Sequence, residues 1–415
     1  QDYLDQYFFE FPSTYHLSRS KEGAAIFSGP WKHETFIYVT LRKGKIFKVD
    51  SDTDNLTEAE VYQYLDLVEA ADAKELRQFV EENVFKKCHV LSVPDDASVM
   101  DAIWIRKWKK TPTGYIIKSR LCARGFLDPQ KSSIPTRSTT ATRLSQKMVV
   151  STSVVHNFDL ESWDVSGAFL KGFTFSNVKR MLEEKGISSP NRKVIIQVPS
   201  NVWRHLGMIS KDFKISEHFY DSYLLLCLKP MYGLGDAPLA WQLALHWFLD
   251  KCGGIQSRFD ENFWFWHEKQ TLTAVATTHV DDCAVASTPK WLAIKYGEFV
   301  ERFGAVTRQQ LPFTHCGCGY SQTATGRLMD QFAFCEKMEE TPVDKDKPDD
   351  ELLDDRGKTQ LRSILGAMLW LCITRGDAIS ECSLLQSEIS VATYGTLRAA
   401  NLAVKRLKKD NHKAF

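Results

Sequence analysis

The chain has 415 residues, 43% hydrophobic and 25% charged, with a formal net charge of +1. That length supports two or three units with sizeable cores. The composition is that of a soluble globular protein, and the near-neutral balance excludes a global basic surface, so any nucleic-acid site must come from local clustering. No apolar run approaches a membrane span. The ten Cys form no C-x-x-C pair and no Cys/His set at zinc spacing; Cys316 and Cys318 are too close and lack partners. Such usage suits thiols packed as small hydrophobes in a reducing compartment, intracellular and not secreted. The start, Gln1-Asp2-Tyr3-Leu4-Asp5, has no basic n-region and no initiator Met, and reads as part of something longer.

Residues 1 to about 55 are aromatic and strand-like. Phe36 to Leu41 and Ile46 to Val49 predict a β-hairpin with Gly44 in its turn. Two helices follow. Thr57 and Glu60 form a capping box, and Asp72 with Glu75 repeats the spacing more loosely. Leu76, Phe79, Val80 and Val84 make an apolar stripe.

Residues 102–126 predict a hairpin that alternates apolar and basic residues. Arg106, Lys107, Lys109, Lys110, Lys118, Arg120 and Arg124 crowd one short region, interleaved with Trp104, Trp108 and Phe126. Two readings stand side by side. The cations and rings suit phosphate contacts beside base stacking, and Lys is also a common guard of exposed sheet edges.

A polar loop over 132–143 precedes a short helix over 144–155. Phe158 to Leu170 runs from a strand into a turn, with Asp164 at the strand end, where ligand-binding carboxylates are often placed. Residues 173–193 predict a helical insertion, 194–199 a strand, 200–220 a second insertion and 224–229 another strand. A helix from Pro238 to Lys251 has Asp236 as its cap and Gly253 as its stop. After it, Leu272 to Ser287 predicts two short strands around an adjacent acidic pair, Asp281-Asp282, at the turn. Two neighbouring carboxylates repel, and desolvation adds to the cost. A divalent cation relieves both problems, and oxygen-only ligands suit magnesium or manganese; the bland reading is a solvated turn. Trp291 to Phe303 predicts a helix, Leu311 to Tyr320 a short glycine-rich strand region, and Asp344 to Lys358 a solvated linker. Leu361, Ile364, Leu365, Met368, Leu369 and Cys372 predict an amphipathic helix, with more helix to Lys409.

Four pieces now stand in order: Lys-Ser-Arg-Leu-Cys-Ala-Arg-Gly ending the basic hairpin, Asp-Val-Ser-Gly-Ala-Phe-Leu-Lys-Gly from Asp164, Met-Tyr-Gly-Leu-Gly-Asp-Ala-Pro-Leu-Ala-Trp from Met231, and His-Val-Asp-Asp from His279. Together they resemble the reverse transcriptase of copia-type retrotransposons, and the resemblance runs over about residues 72–409. It implies an α+β right-hand polymerase. Residues 1–56 would be an N-terminal accessory β segment, 57–320 fingers and palm with an antiparallel palm sheet, and 321–415 a mostly helical thumb or connection. It implies RNA-directed DNA polymerisation by two-metal phosphoryl transfer. Asp164, Asp281 and Asp282 would be catalytic and would hold Mg2+, or Mn2+. Lys118, Arg120, Phe169, Tyr232 and Gly233 would bind the deoxynucleoside triphosphate, with Phe169 excluding a 2′ hydroxyl; the plainer reading of Phe169 is core packing. The partners would be an RNA or DNA template with its primer, gripped by shape and backbone, and no membrane. The location would be the cytoplasm, in a retrotransposon particle, or the nucleus. The chain departs from the family pattern at His279 (usually Tyr), at Gly235-Asp236 (usually Lys-Gln) and at Gly376 (usually Pro). His279 adds a group that titrates near pH 6.5, and Asp236 adds negative charge near the template. The alternative reading is a catalytically inactive remnant that only binds nucleic acid.

Overall fold

The computed structural model describes residues 55–111 and 114–415, together with the backbone of four strands between residues 16 and 49. The chain divides into two compact units, one of residues 1–138 and 167–245, the other of 139–166 and 246–415.

In the first unit, β1 (His16–Arg19), β2 (Ala25–Ser28), β3 (Tyr38–Arg42) and β4 (Lys45–Val49) form an antiparallel sheet in chain order. The β3–β4 pair is the predicted hairpin; Gly44 lies outside the described residues. Helix α1 (Glu58–Gln63) opens on the capping box, in which the Glu60 carboxylate accepts from Thr57 N–H at 2.7 Å and Thr57 Oγ1 accepts from Glu60 N–H. Helix α2 (Leu65–Glu81) runs unbroken through Asp72. The second cap expected there is therefore absent. Asp72 is buried within the helix and accepts Arg106 Nη2 at 2.6 Å, so its carboxylate answers a distant cation instead of local backbone N–H groups. The α2 stripe of Leu76 and Phe79 packs on a five-stranded sheet ordered β5-β10-β9-β6-β7: β5 (Phe85–His89), β6 (Ser98–Thr111), β7 (Gly114–Ala123), β9 (Val194–Gln197) and β10 (Tyr223–Cys227). Only β6 and β9 are parallel; the other pairs are antiparallel. Two further helices belong to this unit, α4 (Phe175–Glu184) and α5 (Ser200–Ile209). Trp203 and Leu206 on α5 enter the same core.

One buried ion-pair network in this unit could not be read from spacing. Arg192 reaches Asp128 Oδ2 at 2.7 Å and Asp236 Oδ2 at 3.0 Å, with all three side chains almost fully enclosed. It also donates to Gln130 Oε1 at 2.9 Å. Asp236 thus commits a carboxylate oxygen to Arg192, and its charge is compensated inside the unit. It does not present free negative charge to a template, contrary to the sequence expectation.

The second unit holds α3 (Arg143–Val155), β8 (Asp159–Val165) and a six-stranded antiparallel sheet ordered β11-β12-β13-β14-β8-β15. The other members are β11 (Ile255–Gln256), β12 (Phe263–Glu268), β13 (Thr271–His279), β14 (Asp282–Ser287) and β15 (Val306–Gln310). Helix α6 (Ala237–Lys251) crosses from the first unit into this one and ends at Gly253, whose φ of 81° suits a residue without Cβ. On one face of the sheet, Trp163 stacks near Trp291 and Phe299 of helix α7 (Pro289–Phe303), at 6.3 and 5.2 Å between ring centroids. On the other, Leu160, Val275, Ala284 and Ala286 meet Val149 and Val150 of α3 and a small sheet of β16 (Phe313–His315), β17 (Cys318–Gln322) and β18 (Arg327–Asp330). Helices α8 (Phe332–Lys337), α9 (Asp355–Leu371), α10 (Ile379–Ser387) and α11 (Tyr394–Lys409) form their own core around Leu361, Leu365, Met368 and Leu397. The predicted linker ends inside this core: Leu353 is buried and Asp354 caps α9. At Gly376 a Cβ would meet nothing within 4 Å, so packing explains neither the glycine nor the loss of proline. No helix among the described residues is long and apolar enough to cross a membrane.

Removing Arg192 would leave two buried carboxylates without their cation. Arg192→Ala is expected to destabilise the first unit by about 3–5 kcal/mol in chemical denaturation; a change below about 1 kcal/mol would refute the network's structural role.

Candidate active site: carboxylates on a central hairpin

The β13–β14 hairpin pairs His279 with Asp282, which leaves Val280 and Asp281 as a two-residue loop. Tight right-twisted hairpins need positive φ in that loop, and here Val280 supplies it at φ 57°. A β-branched residue in that region is strained by about 1–3 kcal/mol. Asp281 therefore sits on the turn and Asp282 begins the next strand. The loop is tied to the neighbouring strand, since Val165 N–H donates to Asp281 O at 3.0 Å. Strand β8 then pairs antiparallel with β14, with Asp164 directly opposite Asp282. Directly opposed residues share a face, so two carboxylates distant in sequence meet side by side, with the third on the adjoining turn.

The crowding shows in the electrostatics. Burial, then Asp281 and Asp164, push the Asp282 carboxyl up to about 6, and Asp164 is also its hydrogen-bond partner. Asp164 and Asp282 are adjacent hard oxygen donors under mutual repulsion, with Asp281 adding its charge, and such donors suit a divalent cation such as magnesium. His279 is held below the usual imidazole range by burial, against the pull of Asp281, so it is neutral near pH 7. The sequence expectation of a group titrating near 6.5 is corrected accordingly.

Strand β8 is locked from its other side. Glu161, fully buried, accepts Arg308 Nε and Nη2 of β15, each at 2.6 Å. Burial alone would raise its carboxyl; the donors Arg308, Trp163 and Gln310 outweigh it and hold it low. This bidentate pair fixes β8 between β14 and β15.

Sequence reasoning missed two groups beside the acidic set. The turn from β16 to β17 brings His315 and Cys316 close to Asp282, with one ligand atom of each of the three within 4.8 Å of the others. Cys316 (φ 48°) and Gly317 (φ 75°) form that tight turn. Nothing in the spacing of these residues announced the cluster.

The remaining sequence candidates lie in the first unit. Lys118 and Arg120 are exposed on one face of β7, and the Arg120 guanidinium lies 5.4 Å from the Tyr232 ring. Phe169, partly exposed, lies 5.9 Å from the same ring. Gly233 has φ 90°, and a Cβ there would stand 2.0 Å from Ala123 O, so close backbone packing alone requires glycine. Arg106 and Arg124 are tied to Asp72 and Asp101; Lys107 is partly buried, and Lys109, Lys110, Lys118 and Arg120 are exposed. Beneath Lys118 and Arg120, burial raises Glu75 of α2 to about 7; Arg120, Lys118 and the Leu121 N–H pull it down, and Asp72 pushes it up.

Over 344 residues the chain is 22% identical to the retrovirus-related Pol polyprotein from transposon RE1 of Arabidopsis thaliana; the match covers 78% of this chain. It covers 21% of that polyprotein, so the chain spans about a fifth of its relative's length. The solved structure of a foamy viral protease-reverse transcriptase dRH in complex with double-stranded DNA aligns with 99% of this chain and 73% of that one, at 11% identity and a TM-score of 0.39. No family model matches the chain.

Val280→Gly is expected to raise the unfolding midpoint by the equivalent of ~1 kcal/mol, the released strain less the entropy of glycine; a lowered midpoint would refute the strain. For Glu75, the folded pKa of about 7 stands above the ordinary 4.5, so its contribution is present below the ordinary value and lost as pH rises through 7. Glu75→Gln is expected to leave stability unchanged at about pH 4 and to raise it by about 2–3 kcal/mol at about pH 8, and a pH-independent difference would refute the shift.

Proposed function

We propose, from the premise that this chain is a distant homologue of a copia-type Pol polyprotein, that it is the RNA-directed DNA polymerase segment of a retroelement. The observation that carries the reading is the cross-strand pairing of Asp164 with Asp282, with Asp281 on the adjoining turn. In this reading the second unit's six-stranded sheet is the palm of a right-hand polymerase. The functional division falls at residues 56 and 320, with fingers and palm between, and the helices after residue 320 belong to a thumb or connection.

The reaction is phosphoryl transfer. A primer 3′ hydroxyl attacks the α-phosphorus of a deoxynucleoside triphosphate, and pyrophosphate leaves. Asp164, Asp281 and Asp282 would hold Mg2+ or Mn2+, and the ions would supply charge neutralisation at the attacking and leaving oxygens. The chain's own residues bind and orient. Outward-facing Lys118 and Arg120 carry positive charge suited to a triphosphate, without competing for the metal. The ring contact with Tyr232 limits where Arg120 can swing. Phe169, backed by the same Tyr232, supplies a bulky ring suited to excluding a 2′ hydroxyl. Gly233 keeps the Tyr232 backbone seated against Ala123, whose N–H donates to Tyr232 O at 2.8 Å. The template–primer duplex is gripped by shape and backbone, with Lys109 and Lys110 among the exposed cations available to phosphates.

The test is deoxynucleotide incorporation on a poly-A template with an oligo-dT primer and magnesium. Asp281→Asn is expected to lower incorporation at least ~100-fold, the rate equivalent of losing several kcal/mol of charge stabilisation. Primer–template binding without incorporation by the unaltered chain would replace this reading with that of an inactive nucleic-acid-binding remnant.

A further inference from the structure

We propose that Asp282, His315 and Cys316 form a second, chemically distinct metal site, selective for a thiophilic divalent cation such as zinc and sharing one carboxylate with the acidic set. One ligand atom of each residue lies within 4.8 Å of the other two. The donor set is one carboxylate oxygen, one imidazole nitrogen and one sulfur. Zinc takes all three types tetrahedrally, and three protein ligands leave a fourth position open. Magnesium, which takes oxygen ligands, gains nothing from the sulfur.

A second observation points to a ligand independently of the clustering. His315 is 2% exposed, and its Nε2 has no hydrogen-bond partner. A buried, unpaired ring nitrogen is costly. Its other nitrogen, Nδ1, lies 3.2 Å from Ser162 Oγ. The hydroxyl can accept from Nδ1–H, and in that tautomer Nε2 is a bare lone pair of the kind a metal needs. Metal-binding histidines are commonly oriented through their other nitrogen in this way. Ser162 lies two residues before Asp164 on the same strand and face, so one strand orients the imidazole and bears a carboxylate of the acidic set. The left-handed turn at Cys316 and Gly317 presents the thiol at a partly exposed position, which gives an entry path from solvent. On binding, the Cys316 thiol gives its proton to solvent and sulfur bonds the metal as thiolate.

The shared ligand has a consequence that rests on the polymerase reading. Asp282 engaged by zinc is withdrawn from the carboxylates proposed to hold magnesium, so zinc and turnover compete for one side chain.

The experiment titrates cobalt(II), a spectroscopic stand-in for zinc, into the full reduced chain. The expected result is a thiolate-to-cobalt charge-transfer band that zinc bleaches, following the affinity order of the two ions. Cys316→Asn, chosen because Asn tolerates left-handed backbone, is expected to lose the band while keeping its circular dichroism. Asp282→Asn is expected to keep a thiolate but bind at least tenfold more weakly. Cys88→Ser, at a thiol in the other unit, is expected to leave the band unchanged. No band in the folded chain, or a band that persists in Cys316→Asn, overturns the site. These readouts need no turnover, so a chain that fails to incorporate nucleotide leaves them intact. Where incorporation is seen, zinc inhibition is expected to weaken at least tenfold in Cys316→Asn, and equal inhibition would overturn the competition.

Discussion

The antiparallel register between β8 and β14 is the constraint on which the candidate site depends. It sets Asp164 opposite Asp282, and it also sets Ser162 opposite Ala284 and Leu160 opposite Ala286. A slip of one residue would turn the carboxylate of one strand to the opposite face and present Trp163 to the wrong layer. Packing forbids the slip. Trp163 is enclosed by rings of α7 on one side, and small alanines on β14 admit α3 on the other. The acidic cluster is therefore held in place by apolar packing that itself gains nothing from the charge.

A second theme is how the cations are used. Net charge is nearly zero, and several arginines that might have faced a polyanion are committed to carboxylates. Arg192 serves two buried aspartates, Arg106 serves Asp72, Arg308 serves Glu161, and Arg375, itself buried, pairs with Asp377 at 2.8 Å. Guanidinium suits this work because its planar fork satisfies a carboxylate with two bonds. Along the β6–β7 hairpin, Arg106 and Arg124 are likewise paired with Asp72 and Asp101, while Lys109, Lys110, Lys118 and Arg120 are exposed.

Where sequence reading succeeded, the cause was local. The Thr57 capping box, the β13–β14 hairpin, α6 and the amphipathic α9 are each encoded within a few turns or a tight loop. Where it failed, the deciding partner was remote. Asp72 resembled a cap because Glu75 follows at the right spacing, yet Arg106 claims it. Asp236 looked like free charge because Arg192 is distant in sequence. His279 looked like an ordinary imidazole because the burial that lowers it leaves no mark in composition. His315 and Cys316 were invisible as a pair of donors, since their third member lies on another strand and no zinc-like spacing along the chain marks them.

Strand β8 lies inside its sheet, with β14 on one side and β15 on the other, and both neighbours are made long after it. On a ribosome, β8 emerges first and waits with both backbone edges bare. Until residues near 310 are available, its backbone N–H and C=O groups are open to any strand it meets. Copies of a gene cut short between these strands would therefore yield not a weakened protein but a sticky one, removed by the cell's quality control. Length, as much as any single carboxylate, decides whether this fold can exist.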